Sequence, residues 1–146
     1  GKAWWNHYLH PKDNDPKRPK LVMIRNCTDV HVKGVHLINS PSFHLMLDGV
    51  LRAEISHVNV TVDRGLKENA RAEAAVEALK RRVPLSSSAN EKGLQLEDLN
   101  TDGIDVKGRY VWIHDCNILN DDDSIAIKPA DQGDAWLGGG TQGIFG

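Results

Sequence analysis

The chain has 146 residues, enough for one domain with one sizeable core, and an ordinary composition of 40% hydrophobic and 26% charged residues. A formal net charge of -2 supplies no overall attraction to nucleic acid or to an anionic membrane, although a local basic patch can still hold an acidic substrate. No apolar run approaches the roughly 20 residues that span a bilayer, so neither nucleic acid nor membrane is expected as a partner.

The opening "GKAWWNHYLH" is polar and aromatic, carries no secretion signal, and reads like the interior of a longer protein. Cys27 and Cys116 are too few for a disulfide framework and lack metal-ligand spacing. Sequons at Asn26 and Asn59 permit glycosylation if the chain is secreted.

Three segments superimpose without gaps: "VHVKGVHLIN" from Val30, "AEISHVNVTV" from Ala53 and "VWIHDCNILN" from Val111. Positions one, three, six and eight are apolar in each, so each copy predicts two short strands with one buried face, joined by a turn or bulge. Cys116 falls where the other copies have valine, which predicts core packing, with a reactive thiol as the other reading. His31, His57 and His114 are expected to face outward. Asn39 and Asn120 end the first and third copies at equal phase and are read as closing turns.

The first two copies start 23 residues apart and the last two 58 apart, an excess of 35. Its source is the stretch from about 64 to 98, where "LKENARAEAAVEALKRR" has strong helix propensity and Pro84 with "SSSANEKG" forms a loop. The helix charges suit a solvated face; a lid gripping substrate is the alternative. A repeat of 21–23 residues built from short strands predicts one all-β domain over 1–146, a right-handed parallel β-helix, incomplete, with one helical insertion. The Gly-rich tail from about 130 shows no further coil and makes a poor cap.

Aligning "DGIDV" from Asp102 with "DSIAI" from Asp123 puts these two aspartates one coil apart at the same phase. Neighbouring strands lie about 4.8 Å apart, so Asp102, Asp122 and Asp123 are expected to crowd together. Crowded like charges raise at least one pKa, dividing an acid from a base as glycosidic cleavage requires.

"NTDGIDV" followed by "NDDDSIAIK" resembles the polygalacturonases, the pectin-cleaving glycoside hydrolase family 28, whose fold is a right-handed parallel β-helix. "GKAWW", "RPKLVMI" and "NSPSFHL" resemble further family motifs, so the resemblance covers roughly residues 1–63 and 99–129. It implies that Asp122 is the general acid and that Asp102 and Asp123 activate water in an inverting mechanism. A carboxylate spacing near 5 Å by itself suggests retention. Lys128 and Asn100 are the expected substrate-binding residues, Lys128 pairing with a galacturonate carboxylate or else facing solvent. No metal or cofactor is expected. The expected partner is pectin or polygalacturonate, and the resemblance implies a secreted cell-wall monomer.

The chain departs from the family pattern in three places. Asp121 stands where the family has Gly or Gln, Ser124 replaces a cysteine, and the Gly-His-Gly and Arg-Ile-Lys motifs are missing. Two other functions therefore compete with hydrolysis: a β-helix that binds polysaccharide or protein without cleaving, and a calcium-dependent polysaccharide lyase.

Overall fold

The computed structural model describes residues 1–9, 17–81, 99–129 and 142–145. In chain order the elements are α1 (Lys2–Leu9), β1 (Val22–Arg25), β2 (Thr28–Lys33), β3 (His36–Ile38), β4 (Leu45–Ser56) and β5 (Asn59–Thr61). They continue with α2 (Arg64–Arg81), β6 (Ile104–His114), β7 (Asn117–Leu119), β8 (Ile125–Ile127) and β9 (Gln142–Phe145). Every strand pair is parallel. One sheet runs β1-β4-β6-β8, with β2 on β4 and β9 on β6; the other runs β3-β5-β7. The chain passes between these two sheets and returns beside its own previous turn, so the fold is a parallel β-helix.

The register follows the repeat. Val30, Ala53 and Val111 stack in one column, Val32, Ile55 and Ile113 in a second, and Leu37, Val60 and Ile118 in a third. Period-two alternation turns these residues inward, and most of them join one continuous apolar core with Leu45, Leu47, Val50, Ile104 and Val106. Cys116 packs against this core, as its phase predicts. The break in alternation is a corner in which Gly34, His57 and Asp115 adopt left-handed backbone with φ of 67, 54 and 51°. Despite the excess of 35 residues, β4 pairs directly with β6 along almost its whole length.

Four features were not expected from the sequence. A second corner bends β4 and β6 through left-handed Arg52 and Tyr110, in line with Asp29 before it. Asp29 is a residue type that favours this backbone, but Arg52 and Tyr110 are not, so no repeated local signal marks the bend. Left-handed Gly49 is an extra residue in β4, shifting the pairing offset with β6 from 59 before it to 58 after it. The tail, expected to add no coil, supplies β9, in which Gln142 pairs with Arg109 and Ile144 with Val111. A parallel ladder needs only backbone N–H and C=O groups, so a Gly-rich segment joins it without showing apolar alternation.

The last unexpected feature is α1. Trp5 in this helix is fully buried with Val62 and Leu99, and its indole N–H donates to the Ser40 carbonyl at 3.0 Å. The start of α2 reaches the same place. Asp63 caps this helix, its Oδ1 accepting the Leu66 N–H at 3.0 Å, and Leu66 packs on the Trp5 cluster. Lys2 in α1 pairs with Glu73 in α2 at 2.7 Å. Both helices thus support the corner where the chain leaves the three-stranded sheet and enters the larger one. Glu68, Asn69, Glu73, Val76, Leu79 and Lys80 of α2 are exposed, in keeping with a solvated face. The loop part of the predicted insertion, 82–98, and residues 130–141 of the tail lie outside the described residues.

Candidate active site

The corner supported by α1 and α2 carries the aspartates. The Gly103 N–H donates to the Asp123 carbonyl at 2.9 Å and the Ile104 N–H to the Ser124 carbonyl at 3.0 Å, while Ile104 pairs with Ile125. Asp102 and Asp123 therefore begin adjacent strands at matching phase, as the alignment predicts. Asn120 closes the intervening turn: its side-chain NH2 donates to the carbonyls of Thr101, Asp122 and Asp123, and its Oδ1 accepts from Ser124. One Asp122 oxygen accepts the Asp123 N–H at 2.9 Å.

A raised pKa is found at Asp102, with burial rather than crowding as its largest cause. Burial, the neighbouring Asp105 carboxylate and the Asp122 carboxylate, in that order of size, push it up to about 6. Asp105 carries no functional signal in the sequence. It is fully buried, its pKa is raised chiefly by that burial, and it lies within hydrogen-bonding reach of Asp102.

Lys128 joins them. Its Nζ lies 2.9 Å from Asp105 Oδ1 and 3.6 Å from Asp102 Oδ2, with about a third of the side chain exposed. It is thus paired with the acidic cluster rather than simply facing solvent. The paired Asp105 carboxylate raises its pKa, keeping it charged. Asn100, exposed and left-handed with φ of 47°, stands at the rim two residues before Asp102.

Asp121 points elsewhere. Its nearly buried carboxylate pairs with Arg64 Nε at 3.0 Å, tying the acidic turn to the first residue of α2. The extra charge that departs from the family pattern thus has its own cation.

Two further groups shape the site. His44 is fully buried; its Nδ1 contacts the Asp102 carbonyl at 2.9 Å, and its Nε2 accepts the Ser40 N–H at 3.2 Å. Only the neutral imidazole protonated on Nδ1 satisfies both, and burial lowers the His44 pKa accordingly. His44 therefore fixes the backbone of Asp102. Its one sequence signal is the "SPSFHL" stretch, where the apolar alternation of β4 begins. Phe43, beside it, has Lys20 at 5.0 Å and Lys128 at 5.4 Å from its ring centre, placing two cations at the edge of the acidic cluster. Farther along the strands Asp48 pairs with Arg25 at 2.7 Å and Lys107 at 3.5 Å. Among the described residues no group of three His, Cys, Asp or Glu is placed to hold a metal ion.

The raised Asp102 pKa makes a stability prediction. Below 3.8 Asp102 is protonated in both folded and unfolded chains, whereas between 3.8 and about 6 only the unfolded chain releases the proton, so stability falls as pH rises through that window. Asp102→Asn removes the cost. Its melting temperature should exceed that of the parent by more at pH 7 than at pH 3.5; an equal difference at both would mean Asp102 ionises without penalty.

A parallel β-helix with buried and half-buried carboxyls stacked at one corner, one of them tuned to hold a proton near pH 6, has the chemistry of a glycoside hydrolase. Residues 1–138 match glycosyl hydrolases family 28, and the chain belongs to that family. It is similar to a probable rhamnogalacturonase A of Aspergillus oryzae, 28% identical over 121 residues, covering 83% of this chain and 19% of the relative. It is also similar to rhamnogalacturonase B of Aspergillus niger, 27% identical over 146 residues, covering 95% of this chain and 20% of the relative. The chain spans about a fifth of the length of these curated relatives. No solved structure matches it.

Proposed function

We propose that this protein hydrolyses a glycosidic bond in the backbone of a pectic polysaccharide. The observation that carries the reading is the Gly103-to-Asp123 backbone bond, which sets the turn bearing Asp122 and Asp123 against Asp102. Asp122, partly exposed, is the proton donor to the leaving oxygen; Asp102 and Asp123 hold and activate water, and the product forms with inversion. Asp102 is almost fully buried, and a carboxyl raised to about 6 is mostly ionised at neutral pH, the form that activates water. Lys128 and Lys20 place positive charge where an acidic sugar would lie, and Asn100 contributes from the rim.

The names of the similar Aspergillus enzymes favour rhamnogalacturonan as substrate over an α-1,4-linked polygalacturonate. An extracellular monomer acting at the cell wall fits either polymer. Reducing ends released from rhamnogalacturonan and from polygalacturonate, measured side by side, test the reading. Cleavage of rhamnogalacturonan supports it, cleavage of polygalacturonate alone reassigns the substrate, and retention of either polymer without new ends leaves a binding protein. Unsaturated ends that vanish with a chelator would instead mark a lyase.

A further inference from the structure

The larger sheet carries a second built surface, beyond the left-handed corner at Arg52 and Tyr110. A groove of about 230 Å³ is lined there by Asp29, His31, Arg52, Glu54, Tyr110 and Trp112. Trp112 lies ten residues along the strand from Asp102, roughly 30 Å of chain path, so this groove is separate from the carboxylate corner.

Its aromatic side chains are exposed yet held. Tyr110 is 55% and Trp112 50% exposed, on a strand whose alternate residues Val111 and Ile113 are in the core. Trp112 stacks on His114 with ring centres 3.9 Å apart and planes 22° from parallel. His114 is fixed from both ring nitrogens, Nδ1 to Asp115 at 2.8 Å and Nε2 to Glu54 at 3.3 Å, and the Asp115 contact raises its pKa. Both partners are carboxylates, so the doubly protonated imidazolium is the form that satisfies them. Across the groove Arg52 grips Asp29 through two contacts of 2.6 and 2.7 Å. His31 lies 3.5 Å from the second oxygen of Glu54.

A half-exposed indole with one face stacked on a fixed imidazole, beside carboxylate and guanidinium groups held in place, matches one kind of ligand closely. A pyranose ring offers an apolar C–H face to stack on the aromatics and a rim of hydroxyls for the polar groups. Among the described residues the charges lining the groove are paired with one another, Arg52 with Asp29 and the histidines with Glu54, which favours a neutral ligand over a uronate. We propose that this groove is a second carbohydrate site, binding a neutral pyranose unit through Tyr110 and Trp112. It stands on the groove itself and does not depend on the catalytic reading.

Affinity electrophoresis tests it, with β-1,4-galactan in the gel as the neutral probe and polygalacturonate as the acidic one. The parent chain should be retarded by galactan. Trp112→Ala and Tyr110→Ala should each weaken retention at least about tenfold, with the β-rich circular dichroism unchanged. Asp102→Asn should be retarded like the parent, whether or not the protein cleaves any polymer. Should Trp112→Ala fail to fold, Tyr110→Ala decides alone, because its exposed ring can be removed without touching the core. No retardation of the parent by galactan, retardation by polygalacturonate only, or full retention in the aromatic variants would each overturn the proposal.

Discussion

Asp122→Asn is expected to lower hydrolysis of the pectic backbone by roughly 10²–10⁴-fold or more, the range for loss of a general acid. Asp121→Asn, next to it and chemically identical, should cost far less. The difference rests on direction. One Asp122 oxygen accepts the Asp123 N–H while the residue stays partly exposed, and its charge acts on Asp102. Asp121 is turned onto Arg64 and its side chain is nearly buried. From sequence alone Asp121 reads as an added like charge near the acid, whose removal should shift the acid limb of the pH–rate profile downward. With Arg64 compensating that charge, the limb should hardly move, and Asp121→Asn should show mainly as reduced thermal stability from loosening α2. A substrate with a good leaving group, such as an aryl glycoside, separates the roles further. Asp122→Asn should lose much less on it, because a leaving oxygen that needs no proton bypasses the donor, whereas Asp102→Asn and Asp123→Asn should lose as much as on pectin. If Asp102→Asn were the variant rescued by the leaving group, the carboxyl raised to about 6 would be the proton donor and the roles would have to be exchanged.

Gly103→Ala is expected to damage both stability and activity. A Cβ at this position would lie 2.7 Å from Ile118 Cγ2 and closer still to the Ser124 carbonyl oxygen of the next coil. One of these is backbone, which cannot swing aside, so the coils must part. Overpacking of this kind costs about 1–3 kcal/mol and here strains the two bonds that set Asp102 against Asp123. A misplacement near 1 Å between reacting groups is worth on the order of 10²-fold in rate. Gly34→Ala is the control. Gly34 is left-handed with φ of 67° and has nothing within 4 Å of a built Cβ, while His57 and Asp115 hold the equivalent corner with ordinary side chains. It should cost only about 1 kcal/mol of backbone strain and leave hydrolysis intact. Thermal melts and initial rates on both variants check this. Equal rates for Gly103→Ala and the parent would show that the stacking of Asp102 on Asp123 does not matter to the chemistry.

The strand phases, the coil period and the column joining Asp102 to Asp123 were legible in the sequence, because alternation is a local property and a solenoid repeats it at constant offset. Val30, Ala53 and Val111 stack as their spacing requires, and Cys116 packs where its phase puts it. The "NTDG" and "DDD" stretches carried the family resemblance for the same reason, since their chemistry is written in adjacent residues. What only the tertiary structure decided depends on approach between coils. Asp105 alternates with the inward Ile104 and Val106 in sequence, yet in the structure it is a fully buried carboxyl paired with Lys128 of the next coil. His44 reads as one more histidine, and its role exists only because the Asp102 carbonyl, 58 positions away, arrives at its Nδ1. Asp121 cannot be told from Asp122 until Arg64 takes one of them. The corner at Arg52 and Tyr110 and the strand Gln142–Phe145 are likewise imposed by the neighbouring coil through backbone geometry, which side-chain pattern does not encode.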